Sequence, residues 1–185
     1  MSFNPPPIAS ELCGASRPGH FSGVMTVVAK LFNLIQPNVA VFGKKDFQQL
    51  FIIKKLINQF NFPVEVIAGE TVREPGGLAM SSRNSKLSVA EKTQAVQLHL
   101  ALKEVMQAVK LKPTSLTTQD IATVEKTANK SLTDKGWQVD YISMRSAITL
   151  KPALSGLGNL IVLGAATLNK TRLIDNIEFC AKPLN

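Results

Sequence analysis

Two short stretches of the chain hold the residue types best suited to chemistry. The first is Val39-Ala-Val-Phe-Gly-Lys-Lys-Asp-Phe-Gln-Gln49, an apolar run that breaks at Gly43 and turns into a helical pattern carrying Lys45, Asp46 and Gln49. Glycine at such a break lets the backbone come close to a ligand with no Cβ in the way. A helix start beyond it directs unpaired N–H groups and a positive dipole end at whatever lies above the strand, which favours phosphate. Spacings of three and four residues bring Lys45, Asp46 and Gln49 to one pocket if all three ride that helix. The second stretch is Met80-Ser81-Ser82-Arg83, just after Gly76-Gly77. It offers two hydroxyl donors and a guanidinium able to hold phosphate oxygens in bidentate fashion. Each motif alone is common in loops that bind nothing. Together they read as a helix start and a mobile clamp for one anion.

Other polar residues point less clearly to chemistry. His20 lies between Gly19 and Phe21 with no Ser or Cys partner at motif spacing, so it reads as a hydrogen-bonded loop residue. His99 falls inside a predicted helix and reads as incidental. Asp46 and Glu74 are of a type that ligates metals, but no paired-carboxylate motif accompanies them, so Mg²⁺ would arrive with a nucleotide. Arg172, beside Leu173-Ile-Asp-Asn176, reads as a structural ion pair closing the last strand. Cys13 and Cys180 have no metal-ligand spacing and are too few for a disulfide framework.

The elements that must position these residues follow from periodicity. Pro5, Pro6 and Pro7 force an extended opening. A helix over 22–36 places Val24, Val27, Val28, Leu31, Phe32 and Ile35 at helical spacing, and Pro37 stops it. Residues 39–42 form an apolar strand suited to a sheet covered on both faces. A helix over 46–60 buries Leu50, Ile53, Leu56, Ile57 and Phe60, and residues 64–67 supply a second strand. Strand, helix and strand in this span make a βαβ unit, whose ligands bind beyond the carboxyl ends of the strands. Residues 68–87 lose all periodicity, and a domain boundary falls here, giving domains over 1–70 and 71–185. Ser88 and Glu91 form a capping box opening a helix to about 110. Pro113 ends that region, and a helix over 118–135 stops at Gly136. Strands over 138–144, 160–167 and 171–174 complete the second domain. The fold class is α/β with a parallel sheet, followed by a small α+β domain.

Bulk properties narrow the function. With 185 residues, 45% hydrophobic and 18% charged, the chain can bury a real core in one domain or two small ones. No apolar run approaches the roughly 18–20 residues that span a bilayer. The opening residues lack the basic start and apolar centre of a secretion signal, so a cytoplasmic protein with no membrane partner is expected. The net charge of +8, from 21 basic and 13 acidic side chains, attracts polyanions. Scattered lysines with one Trp and one Tyr give no basic stripe interleaved with stacking rings, so nucleic acid is not the expected partner.

Five blocks together resemble the pantothenate synthetase (pantoate–β-alanine ligase) family. They are Gly14-Ala-Ser-Arg-Pro-Gly-His-Phe21, Thr26-Val-Val-Ala-Lys-Leu-Phe-Asn33, Phe42-Gly-Lys-Lys-Asp-Phe-Gln-Gln-Leu50, Val72-Arg-Glu-Pro-Gly-Gly-Leu-Ala-Met-Ser-Ser-Arg-Asn84 and Arg172-Leu-Ile-Asp-Asn176. The resemblance implies a Rossmann-like nucleotidyl-transferase domain, in part, followed by the α+β domain. It implies ATP as co-substrate, Mg²⁺, pantoate and β-alanine as substrates, a pantoyl-adenylate intermediate and a homodimer. It further implies that Gly43, Lys44, Lys45 and Asp46 hold ATP, with Lys45 on phosphate and Asp46 on the adenosine hydroxyls. Val72 would line the adenine pocket, and Met80, Ser81, Ser82 and Arg83 would close over the triphosphate. Gln49 would hydrogen-bond pantoate. Lys45, Ser81, Ser82 and Arg83 are the residues expected to act in catalysis.

Two departures stand out. Lys44 occupies a position where the family usually has an acidic residue. The family's His-x-Gly-His element is absent from the sequence. The expectation is therefore a carboxyl-terminal portion with half of an ATP site, little turnover alone, and exposed apolar surface that invites self-association. The alternatives are a non-catalytic basic module binding nucleic acid with steep salt dependence, or another adenylate-forming nucleotidyl transferase.

Overall fold

The computed structural model describes residues 4–111, 116–154 and 158–181. It divides into two compact units, Met1–Thr71 and Val72–Asn185.

In the first unit Pro6 is extended (φ −64°, ψ 158°), and the opening then folds into two short 3₁₀ turns, Pro7–Ser10 and Leu12–Gly14. Helix α1 (His20–Ile35) begins after Gly19, whose φ is +77°. It starts two residues before the predicted position, so His20 belongs to the helix and not to the loop. It ends where Gln36 turns left-handed and donates its N–H to the carbonyl of Phe32 at 2.9 Å. Strand β1 (Val39–Gly43), a 3₁₀ turn (Lys44–Asp46), helix α2 (Phe47–Phe60) and strand β2 (Glu65–Gly69) complete a βαβ unit. The strands are parallel, in register from Val39 with Glu65 to Gly43 with Gly69.

The core of this unit packs Phe21, Met25, Val28 and Phe32 of α1 against Ile52, Ile53 and Leu56 of α2, with Ala40, Phe42 and Val66 of the sheet partly buried against them. Strand alternation then turns Val39, Val41 and Ile67 to the other face, which is bare: Val41 is 67% exposed. The expectation of a sheet covered on both faces fails for the described residues, because both helices take the same side. Phe60 is also exposed rather than buried, its ring lying 6.4 Å from that of Phe62. Along α1 the buried row is Phe21, Met25, Val28, Ala29 and Phe32, while Val27, Leu31, Leu34 and Ile35 form a second, exposed apolar row.

The second unit opens with a tight hairpin over residues 72–80 and a 3₁₀ turn (Ser82–Lys86). Helices α3 (Val89–Leu111) and α4 (Thr118–Asp134) follow, then strands β3 (Gln138–Ser146), β4 (Gly158–Leu168) and β5 (Thr171–Ala181), in antiparallel order 3-4-5. The Ser88–Glu91 capping box forms as expected: the Ser88 N–H donates to Glu91 Oε2 at 2.8 Å, and the Glu91 N–H to Ser88 Oγ at 3.2 Å. A second box, Thr117 with Asp120, starts α4. The expected stop at Pro113 lies outside the described residues. Gly136, with φ +84°, turns the chain from α4 into β3.

All three strands outrun their predicted lengths. The difference is largest for β5, where polar Asp175 and Asn176 interrupt the apolar pattern although both are buried in the strand. The core gathers Leu98, Leu102, Val105 and Val109 of α3, Ile121 and Leu132 of α4, and Trp137, Met144, Val162 and Phe179. On β3, Glu125 of α4 accepts the Met144 N–H at 2.6 Å. The Ala153 N–H donates to the Met144 carbonyl at 3.1 Å.

Candidate functional site

In the first unit, β1 and β2 end side by side at Gly43 and Gly69. Parallel strands put both carboxyl ends on one edge, where open α/β sheets bind ligands. Gly43 has ordinary extended angles (φ −71°, ψ 135°), and a Cβ built on it meets nothing within 4 Å. Neither backbone conformation nor packing requires glycine here; what the residue leaves is open space above the turn. Lys44 Nζ lies 2.6 Å from Glu70 Oε1, an ion pair across the two strand ends. Lys44 is thus met by a carboxylate one residue past β2.

Contrary to the expectation from spacing, Lys45, Asp46 and Gln49 do not share one helix. Lys45 and Asp46 lie in the 3₁₀ turn, and only Gln49 rides α2. Asp46 (φ −94°, ψ 55°) leaves the helical region and its side chain does not cap α2. The tighter turn, at three residues per turn, replaces the register that an α-helix would impose. Asp46 is exposed, and Lys45 and Gln49 are half-buried.

In the second unit the Met80 N–H donates to the Val72 carbonyl at 2.9 Å, and the Glu74 N–H to the Leu78 carbonyl at 2.8 Å. Pro75, Gly76 and Gly77 form the three-residue loop between them; Gly77 has φ +93°, the left-handed close of such a loop. Val72 and Met80 therefore stand as neighbours at the open end of the hairpin, 65% and 55% exposed. Ser81 precedes the 3₁₀ turn and its Oγ accepts the Arg83 N–H at 3.2 Å. Ser82 is exposed, while Arg83 Nη1 donates to the Arg172 carbonyl at 3.4 Å. The Ser-Ser-Arg stretch is a hydrogen-bonded turn. Arg172 itself pairs with Asp140 through Nε at 2.7 Å, the structural ion pair expected of it.

Several residues that anchor these segments escape sequence reasoning. Gln48, buried beside Gln49, accepts the Cys13 N–H and donates to the carbonyls of Ile8 and Glu11 at 2.7 and 2.9 Å. It ties the opening turns to α2, and since its partners are backbone groups, no residue type announces it. His99, read as incidental, has Nδ1 2.9 Å from Asp175 Oδ2. Arg73 grips the same carboxylate through Nη1 and Nη2 at 2.7 and 2.9 Å. Burial would raise the Asp175 carboxyl, but the hydrogen bonds from His99 and Arg73, the charge of Arg73 and the Asn176 amide outweigh it and hold it below the ordinary aspartate range. Glu74 is taken up by Asn84 Nδ2 at 2.7 Å. Among the described residues no group of three or more His, Cys, Asp or Glu is placed to hold a metal, and no helix is long and apolar enough to cross a membrane.

Residues 1–178 match the sequence profile of the pantoate-beta-alanine ligase family. A pantothenate synthetase from Methylobacillus flagellatus is 55% identical over 179 residues, which covers 97% of this chain and 63% of that protein. The crystal structure of the pantothenate synthetase from Thermus thermophilus has a TM-score of 0.85 at 34% identity, covering 96% of this chain and 63% of that one. The pantoate-beta-alanine ligase from Francisella tularensis, crystallised with beta-gamma ATP and beta-alanine, gives a TM-score of 0.62 at 31% identity and is 57% covered. The chain thus spans about three-fifths of the length of these relatives. With a parallel βαβ unit ending at an open Gly43 turn, an antiparallel unit opening on the Val72 hairpin, and a profile matched over nearly every residue, the chain belongs to the pantoate–β-alanine ligase family.

Proposed function

We propose that this chain contributes to the ATP-dependent condensation of pantoate with β-alanine. The pantoate carboxylate attacks the α-phosphorus of ATP, expelling pyrophosphate and forming pantoyl adenylate. The β-alanine amine then attacks the acyl carbon and AMP leaves. A free carboxylate is a poor acyl electrophile, so the first step creates the leaving group that the second needs. Catalysis of this kind depends on positioning two reactants and shielding phosphate charge more than on a strong base.

The single observation that carries this reading is the family match over residues 1–178. The ATP and β-alanine bound to the Francisella relative support it. In this reading the open turn at Gly43 admits the triphosphate to the backbone, Lys45 meets phosphate, and Asp46 meets the ribose hydroxyls. Gln49 holds pantoate, Val72 lies against adenine, and Met80, Ser81, Ser82 and Arg83 cover the phosphates. Lys44 adds a second cation, tempered by Glu70. Magnesium would arrive with the phosphates of ATP. The reading places the protein in the cytoplasm as a homodimer. It also makes full turnover depend on the two-fifths of the relatives' length that this chain does not span.

Calorimetry with Mg·ATP, on the chain alone and mixed with the remaining segment of the Methylobacillus relative, tests this. The expected result is weak ATP binding by the chain alone and pantoate-dependent pyrophosphate release only from the mixture. Release driven by a different carboxylic acid, with none from pantoate, would replace this reading by another nucleotidyl transferase.

A further inference from the structure

Asp175 is engaged through both of its carboxylate oxygens. Its Oδ1 accepts from Arg73 Nη2 at 2.9 Å and from the Asn176 N–H at 2.8 Å; its Oδ2 lies 2.7 Å from Arg73 Nη1 and 2.9 Å from His99 Nδ1. The residue is 5% exposed. Three separate elements meet there: the hairpin through Arg73, α3 through His99, and β5 through Asp175 itself. Buried ion pairs of this sort seldom add much net stability over apolar packing. What they do fix is geometry, because a bidentate guanidinium–carboxylate pair is planar and directional.

The pair has a geometric object. Arg73 Nη1 also donates to the Gly77 carbonyl at 3.2 Å, so one guanidinium ties the far end of the hairpin loop to β5. A second tie closes the other side: Asn84 Nδ2 donates to Glu74 Oε1 at 2.7 Å and to the Ala79 carbonyl at 3.1 Å. Arg83 adds a third through the Arg172 carbonyl, three residues along β5 from Asp175. Residues 80–83 hang between these ties, with Met80 and Ser82 exposed. Leu78 is the hairpin's apolar anchor in the core; on its own it would allow rotation, which the Arg73 fork forbids.

We infer that Asp175, acting through Arg73, is a positioning residue for the segment 80–83, presenting its hydroxyls and guanidinium to phosphate oxygens in one arrangement. This rests on the nucleotide reading above for the identity of the ligand, but the anchoring itself does not. His99 serves by holding Oδ2 so that both carboxylate oxygens face the fork.

Amide hydrogen exchange on the full chain, with Mg·ATP calorimetry beside it, tests the assignment. In Asp175→Asn the amides of Gly77, Met80 and Asn84 should exchange about tenfold faster or more, as expected for losing a charge-assisted bond. The β4 amides of Val162 and Ala166 should keep their protection. ATP affinity should fall about tenfold. His99→Gln retains a donor and should restore most of what His99→Phe loses, which a purely space-filling role would not produce. If Asp175→Asn loses protection in β4 as well, Arg73→Gln, on the more exposed side of the pair, carries the same reading. Unchanged exchange at Gly77 and Met80 overturns the inference. Faster exchange with unchanged ATP affinity overturns it too, leaving Asp175 a structural anchor. A wild-type chain that binds no ATP counts against the ligase reading itself, and hairpin loosening on its own then again reduces Asp175 to an anchor.

Discussion

Gly164 of β4 lies directly beneath Leu102 of α3: a Cβ built on the glycine would stand 3.0 Å from Leu102 Cδ2, and 3.1 Å from Leu98 Cδ1. The close approach of helix to sheet is what allows His99, next to Leu98, to reach Asp175, which pairs with Gly164 across the β4–β5 ladder. Replacing glycine by alanine removes unfolded-state freedom, a gain of about 0.4–1 kcal/mol. Overpacking against side chains with no room to move costs about 1–3 kcal/mol. Leu102 and Leu98 are both fully enclosed, so the second effect wins. Gly164→Ala should lower stability by about 1 kcal/mol in urea unfolding, and it should loosen the His99–Asp175 contact, visible as a shifted His99 ring resonance.

Two glycines in the first unit make opposite predictions. A Cβ on Gly14 would lie 1.9 Å from the Ala9 carbonyl oxygen, a backbone atom that cannot swing away. Gly14→Ala should cost about 3 kcal/mol and lower the melting temperature visibly. Gly43 has open surroundings and ordinary angles, so Gly43→Ala should leave the melting temperature unchanged or slightly raised. If the turn admits a triphosphate, the same change should weaken Mg·ATP binding. A stable Gly43→Ala protein with undiminished affinity would remove Gly43 from the site.

This contrast shows what the sequence could convey and what it could not. Gly43 announces itself by position, at the break between an apolar strand and a charged helix start, and the βαβ unit around it formed as read. Gly14 sits in an irregular stretch where nothing in the residue types reveals a backbone crossing. The capping box at Ser88 and Glu91 is local chemistry and was legible. The Arg73–Asp175–His99 cluster joins residues as far as 102 apart in sequence, so no window along the chain displays it. Lys45 and Asp46 mark the intermediate case: the lysine's charge points to a phosphate, while the 3₁₀ turn that carries both residues depends on how β1 meets α2. The bare face of β1 and β2 is not legible in the residue types, because an apolar strand looks the same whether one or both of its faces are covered.

The paired lysines after Gly43 should separate by role. Lys44 is engaged by Glu70, an exposed pair worth roughly 0–1 kcal/mol, so Lys44→Ala should change neither stability nor adenylation greatly. Lys45 is assigned to phosphate, and loss of one charge-stabilising donor costs on the order of 10²–10³ in rate. In the reconstituted enzyme Lys45→Ala should therefore cripple pantoate-dependent pyrophosphate release while the chain's unfolding curve stays in place. Near-normal turnover by Lys45→Ala would refute the assignment, and equal losses at both positions would show that Glu70 does not restrain Lys44.

Glu125 offers a test of the second unit that is independent of any ligand. Its carboxyl is pushed above the ordinary glutamate range by burial, with the Met144 N–H and the charge of Arg145 opposing that rise without cancelling it. A carboxyl whose proton is held more tightly in the folded chain than in the unfolded one adds stability at low pH. That contribution disappears as the pH climbs through the folded-state value. At neutral pH the ionised form is therefore less favourable in the folded chain than the protonated one, although Oε1 accepts the Met144 N–H at 2.6 Å. Glutamine keeps the acceptor and removes the charge. Glu125→Gln should accordingly stabilise the chain modestly at pH 7 and flatten the dependence of its unfolding free energy on pH just above the ordinary glutamate range. Leucine keeps neither, and leaving that buried N–H unpaired costs about 1–3 kcal/mol. Urea unfolding of the two variants across pH 4–8 distinguishes the cases: a destabilised Glu125→Gln at pH 7 would mean that attraction to Arg145 outweighs burial.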